Sequence, residues 1–442
     1  MQKIFLNMKQ ILIALLIGLS GFQVQAQNKL SLKDAIRIGL ENNFQIKISN
    51  QNIEKTRLNN NWGTVGRYPS ITLGTNLNNK YTNAKSTTTH GTRDKNLKTT
   101  LYPNLNLRWI LFNGFAVKIS KEKLALLQKF SEGYSGIIVE NTIQAIILAY
   151  YKVQLETEKL TVLESVKRIS RDRYNYVMQK KEFGSSVTYD VLQAKNAYLS
   201  DSSSYLLQQL NFKNTNLNLN LLLGEEASVR FELTEALKVI TDEYILEDLM
   251  NKMLSNNKTL KNQYINQEIL KKEINFQRSK LFPTVSLNSG FNYFNSRIKF
   301  SGTSAAYTNS YDFYANVSLS FNLFNGGKVK RAIQITQIDE RIGKLRIEEM
   351  QLKLKNVLFN LYDLYNIRRQ LYDVSEANLK SAKLNLKISK EKYKSGAINS
   401  FNYRDIQLLY LNTAIRQYQA MYNLLDTHTE LTRLTGGIID EQ

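Results

Sequence analysis

Little in this chain can do covalent or metal chemistry. His90 and His428 are its only histidines, they stand in unrelated contexts, and cysteine is absent. No cluster therefore has metal-ligand spacing, and no thiol can serve as nucleophile or disulfide partner. Each histidine reads as an ordinary surface or loop residue. Paired carboxylates, a nucleophile with its base, or a phosphate-binding glycine loop are not found in a recognisable context, which points away from an enzyme and leaves no cofactor to expect. Charge is the remaining resource. The net charge of +21 permits attraction to nucleic acid, anionic lipid or acidic cargo. The cations are scattered beside Glu, as in Lys121-Glu122-Lys123 and Lys390-Glu391-Lys392, the pattern of a solvated helix face. No compact basic block with interleaved aromatics is present, so nucleic acid is not an expected partner.

The elements around these residues come in duplicate. Asn42-Asn43 returns as Asn256-Asn257, and Tyr68-Pro69-Ser70-Ile71 as Phe282-Pro283-Thr284-Val285, each 214 residues on. Leu111-Phe112-Asn113-Gly114 returns as Leu323-Phe324-Asn325-Gly326, Gly184 as Gly396, and Leu223-Gly224 as Thr435-Gly436, each 212 on. A repeat spanning nearly the whole chain sets the organisation: a first unit over 27–229 and a second of the same order over 230–442. Ahead of them, Lys3 and Lys9, the apolar run Ile11 to Leu19, and Val24-Gln25-Ala26 before Gln27 form the three-part pattern of a secretory leader, residues 1–26. That run is too short to span a bilayer, and with no cysteine to carry lipid any membrane attachment must come from folded structure.

Within each unit the periodicity changes in a fixed order. Ser31 to Arg67 and Glu247 to Leu281 have helical spacing and each is closed by a proline. Strand pairs follow. Ile71, Leu73 and Leu77 alternate with Thr72, Asn76 and Asn78, and Leu101, Leu105, Leu107, Trp109 and Leu111 with Tyr102, Asn104, Asn106 and Arg108. Val285, Leu287, Phe291 and Tyr293 alternate with Ser286, Asn288 and Asn292, and Phe313, Ala315, Val317, Leu319, Phe321 and Leu323 with Asp312, Asn316, Ser318, Ser320 and Asn322. The segments between partners, Asn79 to Asn96 and Asn295 to Ser310, read as exposed loops. After each pair Asn113-Gly114 or Asn325-Gly326 turns the chain and can cap a very long helix, running to about Lys180 or Tyr393. Val357, Leu361, Leu364 and Leu371 form a coiled-coil-like stripe on the second of these. A further helix is predicted from Asp190 to Leu222 and from Asp405 to Leu434. Between the helices, Gly184 and Gly396 can adopt the left-handed conformation that ends a helix, and Thr188 or Ser400 can cap the next.

Strands of about 10 residues, apolar on one face and rich in Asn, Ser and Thr on the other, suit an outer-membrane barrel, with Leu73, Leu105, Leu107, Leu287, Val317 and Leu319 facing lipid. A half-buried sheet in a soluble sandwich shows the same alternation. Four strands cannot close in lipid, where unpaired edges are forbidden, so the barrel reading requires two, three or four copies. Trp109, Phe112, Phe321 and Phe324 near strand ends suit an aromatic girdle or a subunit interface.

Taken together, the duplicated helix, Pro-led strand pair, Leu-Phe-Asn-Gly turn and long helical hairpin resemble the TolC-like outer membrane factors over nearly the whole chain. Phe183-Gly184-Ser185-Ser186-Val187-Thr188-Tyr189-Asp190-Val191 and Tyr393-Lys394-Ser395-Gly396-Ala397-Ile398-Asn399-Ser400 look like that family's helix tips. The resemblance implies a mainly α fold with a membrane β-barrel: a homotrimer whose chains each give four strands to a twelve-stranded barrel in the outer membrane, continued by a periplasmic α-helical barrel. Glu225 to Thr241 would join a belt midway. It further implies a passive duct in an efflux or type I secretion system, docking through Gly184, Ser185, Ser186, Val187, Thr188, Gly396, Ala397 and Ile398 onto a periplasmic adaptor and an inner-membrane transporter. Carried over residue by residue, the family's latch falls on Asp190 and Tyr393, its latch arginine on Ile398, which cannot donate, and its constriction aspartates on Asn402 and Asp405. The rival is a secreted coiled-coil rod of structural or adhesive function, which leaves the four alternating strands unexplained.

Overall fold

The computed structural model describes residues 28–85, 93–300 and 304–438; the predicted leader and His90 lie outside them. The chain divides into two compact units, and each takes pieces from both repeats. One contains 28–46, 139–248 and 358–438, the other 47–138 and 249–357. The mixing has a direct cause, because strands from the two repeats pair with each other in a single sheet.

That sheet belongs to the second unit. Its strands β2 (Ser70–Lys85), β3 (Arg93–Asn113), β5 (Thr284–Phe300) and β6 (Ala306–Ser320) lie antiparallel in the order β2-β3-β5-β6. Register carries residues of like character into rows: Leu73 opposite Leu105, Leu105 opposite Phe291, and Phe291 opposite Phe313. The neighbouring polar row runs Gly74, Asn104, Asn292, Asp312. A bulge between Ile110 and Phe112 leaves Leu111 unpaired and sets Phe112 opposite Val285, which is opposite Leu319. The apolar row there is thus completed by Phe112, where plain alternation predicts Leu111.

Two expectations about these strands need correction. The tracts read as loops are largely ladder, since β2 continues to Lys85, β3 begins at Arg93, β5 reaches Phe300 and β6 starts at Ala306. Thr and Tyr favour extended backbone, and each added pair extends an existing ladder at small entropic cost. Conversely, Phe321 and Leu323 keep the alternation in sequence but lie beyond β6, which ends at Ser320.

Helices flank the sheet segments in the chain. The predicted single helix before each proline is two helices: α1 (Leu32–Asn42) and α2 (Phe44–Asn59) in the first repeat, α5 (Leu246–Asn256) and α6 (Lys258–Ser279) in the second. The repeated asparagine makes the break. Asn43 Oδ1 accepts from the N–H of Gln45 at 2.9 Å, and Asn257 Oδ1 from that of Leu260 at 3.0 Å, so each side chain caps a new helix. The long helices are α3 (Ala116–Glu182) and α7 (Lys328–Lys394), followed by α4 (Thr188–Leu223) and α8 (Ser400–Leu434). No described helix is long and apolar enough to cross a membrane.

In the first unit, β1 (Asn28–Leu30) pairs in parallel with β4 (Phe231–Leu233), inside the stretch expected to form a belt. Around them Leu30, Ala35, Ile36, Ile146, Leu219 and Leu223 form one core, and Val162, Val166, Leu379, Leu411 and Ala414 a second. Each fully buried large side chain contributes about 1.5 to 3 kcal/mol relative to exposure. Tyr150 is buried with its hydroxyl satisfied, donating to Leu30 O at 2.9 Å and accepting from Glu235 N–H at 3.2 Å. The stripe expected on α7 is not the one packed within the chain: Leu358, Tyr365 and Leu379, in heptad spacing, are buried, whereas Val357, Leu364 and Leu371 are exposed and Leu361 is half-buried. Seven-residue spacing occurs twice on this helix, and only packing selects which set turns inward. His428, expected at a surface, is 5% exposed on α8 with its ring 6.1 Å from that of Tyr244. Burial pushes its imidazole below the usual histidine range, against a smaller opposing pull from Asp242.

Candidate functional site

The turns joining α3 to α4 and α7 to α8 are built alike. Gly184 and Gly396 have φ of +75° and +78°, a conformation that glycine adopts without a Cβ clash. In the first turn Ser185 N–H reaches Lys180 O at 2.7 Å and Gly184 N–H reaches Lys181 O at 2.9 Å; in the second, Ala397 N–H reaches Lys392 O at 2.8 Å and Gly396 N–H reaches Tyr393 O at 3.2 Å. This double closure is the Schellman arrangement, which satisfies the last carbonyls of each long helix. The capping expectation shifts by one residue. Thr188 and Ser400 are the first helical residues, Val187 occupies the cap position of α4 without a side-chain bond, and Asn399 caps α8 through Asn402 N–H at 2.9 Å. At the tips Ser185, Val187, Thr188, Gly184, Gly396 and Ala397 are exposed, with Ser186 and Ile398 half-buried.

Asp190 lies in the first turn of α4 and accepts from Ser186 Oγ at 3.1 Å. Together with the exposed Asp405, and with Arg173, Arg404, Ser400 and Phe401, it lines a cavity of about 430 Å³. Asn402 is exposed, with its N–H spent on the cap. Tyr393 does not line this cavity. Its ring stacks on Tyr403 at 4.8 Å and meets Tyr176 edge-on at 5.7 Å, and it lines a second hollow with Ile169, Tyr176, Tyr403, Lys390 and Lys394, which shares Arg173 with the first. Burial pushes its hydroxyl above the usual tyrosine range, opposed by a bond with Ser400. Among the described residues no hydrogen bond joins Asp190 to Tyr393.

Residues not singled out from the sequence hold this region together. Arg404 of α8 grips Asp201 of α4 through two parallel bonds, Nη1 to Oδ2 at 2.6 Å and Nη2 to Oδ1 at 2.7 Å. Both are largely buried, with side chains 16% and 5% exposed. Beside them Arg173 of α3 is 5% exposed and donates to Ser400 O at 3.1 Å, while its Nε has no partner among the described residues. Burial, then repulsion from Arg404, pulls Arg173 below the usual arginine value. The partners stand 203 residues apart on different repeats, so no local motif announces them.

On the sheet, the positions expected to face lipid share the apolar face. Leu73 is 81%, Val317 70% and Leu319 70% exposed, Leu105 is exposed at 43%, and Leu107 and Leu287 are half-buried. Tyr311, Phe313, Ile71 and Leu77 extend the same uncovered surface. The opposite face carries a polar network in which Tyr314 Oη donates to Asn106 Oδ1 at 2.7 Å and Asn292 to Asp312 at 2.9 Å. Of the expected girdle, Phe324 is 86% and Phe321 53% exposed, Trp109 donates its indole N–H to Arg67 O at 2.9 Å, and Phe112 packs edge-on against Phe115. No metal-binding cluster occurs among the described residues.

A family model described as outer membrane efflux protein matches residues 35–225 and 249–437. The chain belongs to the outer membrane efflux protein family. Its fold is that of TolC-like channels. It superposes on the solved structure of CusC with a TM-score of 0.70 at 18% identity, covering 94% of this chain and 93% of that one. A membrane protein from Pseudomonas aeruginosa gives 0.73 at 16%, covering 92% and 90%, and the Campylobacter jejuni CmeC outer membrane channel 0.70 at 15%, covering 92% and 85%. No curated protein matches by sequence. As a member of an efflux-channel family the protein is a duct, placed in the outer membrane of a Gram-negative bacterium and extending into the periplasm. The family is one of channels, not of enzymes.

Proposed function

We propose that three copies assemble around one axis, twelve strands closing the barrel, and serve as the passive outer component of a tripartite efflux or type I secretion system. The observation that carries the assembly is the sheet: four strands with an uncovered apolar face and two edges, β2 and β6, that have no strand partner among the described residues. In lipid each unsatisfied backbone group costs several kcal/mol, so the edges must meet those of neighbouring copies. The exposed Val357, Leu364 and Leu371 on α7 fit a matching demand for helix neighbours.

The helix tips are the gated, adaptor-docking end of this duct. Gly184 to Thr188 and Gly396 to Ile398 present the docking turns. Asp405, repeated by the trimer, rings the constriction and favours cations there, with Asp190, Asn402 and Tyr393 in the surrounding gate. Ile398 cannot act as a latch, and the buried Arg404–Asp201 pair is the closing contact that replaces it. Energy comes from an inner-membrane transporter through a periplasmic adaptor, since the sequence carries no recognisable nucleotide motif. Purified protein in planar bilayers tests the reading. Discrete conductance steps are expected, and a preparation that stays soluble without detergent as a monomer refutes it.

A further inference from the structure

Near its C-terminal end α7 carries Lys380, Lys383, Lys387, Lys390 and Lys394, at steps of 3, 4, 3 and 4. Such steps return to one side of an α-helix, so five ammonium groups share a single stripe. All five residues are exposed, and Lys390 and Lys394 also border the hollow that Tyr393 shares with Ile169 and Tyr176 of α3. Among the described residues the first four form no ion pair, and Lys394 meets Glu391 at 3.5 Å. Like charges at these spacings repel weakly, a small cost that opposed charges on a neighbouring helix would relieve.

The duplicated architecture supplies an internal control. The equivalent positions 212 residues earlier, on α3, are Arg168, Arg171, Asn175, Met178 and Glu182. A long helix in the same place in the repeat thus does without the unbroken cationic row, and packing alone does not call for it. Next to the stripe stand Leu384 and Ile388, 59% and 47% exposed, on the side of α7 away from the buried Leu379, Ala382 and Ser389. An apolar pair flanked by a line of lysines is one half of a two-helix seam, in which apolar residues interdigitate and charged flanks choose the partner.

We infer that this face of α7 docks an acidic amphipathic helix of a partner protein, one that places Asp or Glu at steps of three and four beside its own apolar seam. The inference rests on the duct reading and gives the adaptor its chemistry: apolar contact supplies hold, and the opposed charges steer approach and fix register. Lysines can swing toward carboxylates on a neighbouring helix while their stems cover the apolar seam.

The probe is a designed helical hairpin with Glu at 3-4-3-4 steps beside a Leu seam, fluorescently labelled, titrated against the detergent-purified full-length assembly at low and high salt. The Glu hairpin should bind about tenfold or more tighter than its Gln counterpart, with the advantage shrinking as salt rises. K383E/K387E/K390E should lose that advantage, and a Lys-bearing hairpin should regain it. K383Q/K387Q/K390Q should bind both hairpins alike, which covers the case in which charge reversal disturbs folding. R168E/R171E should leave binding within about twofold, as expected for a rim charge away from the seam. Equal binding of the Glu hairpin to wild type and the Gln variant overturns the inference. So does a change in the channel's ion selectivity without loss of hairpin binding, which would place the lysines in the lumen, or a Leu384 photocrosslink that captures only another copy of this chain. Bilayer conductance on the same preparation separates the two claims. Lysine-dependent binding without conductance removes the duct reading, and conductance without lysine-dependent binding removes only the docking face.

Discussion

Asp201→Asn is the sharpest probe of the tip region. The substitution keeps side-chain shape but removes the carboxylate charge that holds Arg404 through bonds of 2.6 and 2.7 Å. Arg404 is then left 16% exposed beside Arg173, which is itself 5% exposed and whose charged form is disfavoured first by burial and then by repulsion from Arg404. Removing one partner of a buried pair costs about 3 to 5 kcal/mol. Because Arg404 retains some contact with water, the lower end applies, and about 3 kcal/mol corresponds to roughly a hundredfold change in an opening equilibrium. Hydrogen exchange read by mass spectrometry should show amides of the first turns of α8, and of α4 around Asp201, exchanging roughly a hundredfold faster, with the amides around Tyr150 unchanged. Single-channel records should show a matching rise in open probability. Asp201→Leu combined with Arg404→Leu should recover most of the lost protection, since an apolar pair of similar volume leaves no orphaned charge. Exchange unaltered in Asp201→Asn, or no recovery in the double variant, would refute the assignment of this pair as a closing contact.

Other outcomes follow from the same geometry. Phe313→Arg places a cation midway along β6 on the uncovered apolar face and should cost roughly 2 to 4 kcal/mol of barrel stability near the bilayer midplane, read as loss of the assembled band on semi-native gels. Asp405→Ala should abolish both cation preference and block by multivalent cations in single-channel recordings; retention of both removes Asp405 from the constriction. A Cβ at Gly290 would fall 2.6 Å from Leu105 O and 2.8 Å from Tyr314 Oη, so Gly290→Ala should cost about 1 to 3 kcal/mol by forcing β3, β5 and β6 apart, measurable as a lower melting temperature. His428 is held neutral by burial, so the unfolded chain binds the extra proton: its contribution is complete above the ordinary histidine value of about 6.5 and fades as pH falls below it. His428→Gln should flatten that part of the stability-versus-pH curve, followed by thermal melts between neutral and mildly acidic pH.

Much of the architecture could be read from local pattern. Period-two alternation in four segments, the proline-closed helices and the tip glycines depend on backbone preferences that act within a few residues, and Gly184 and Gly396 take the left-handed conformation their positions suggest. The helix break at Asn43 was available in principle, because an asparagine that can cap the next helix competes with helix continuation, yet helical spacing on both sides masks it. The tip residues were legible as turns, but the Arg404–Asp201 pair was not, since neither residue carries a local signature of its partner.

By itself the sequence determined the duplicated order of elements, the two-faced strands, and a chain with too few strands to close in lipid, because hydrophobic periodicity and turn chemistry are written residue by residue. Only the tertiary structure decided that β3 pairs with β5 across the repeats, that the bulge beside Leu111 brings Phe112 into the apolar row, and that α7 buries Leu358 and Tyr365 while leaving Val357 and Leu364 uncovered. The physical reason is common to all three. Each depends on which surface meets which, and strand registers or heptad stripes that look alike along the chain are separated only by the contacts they make across it.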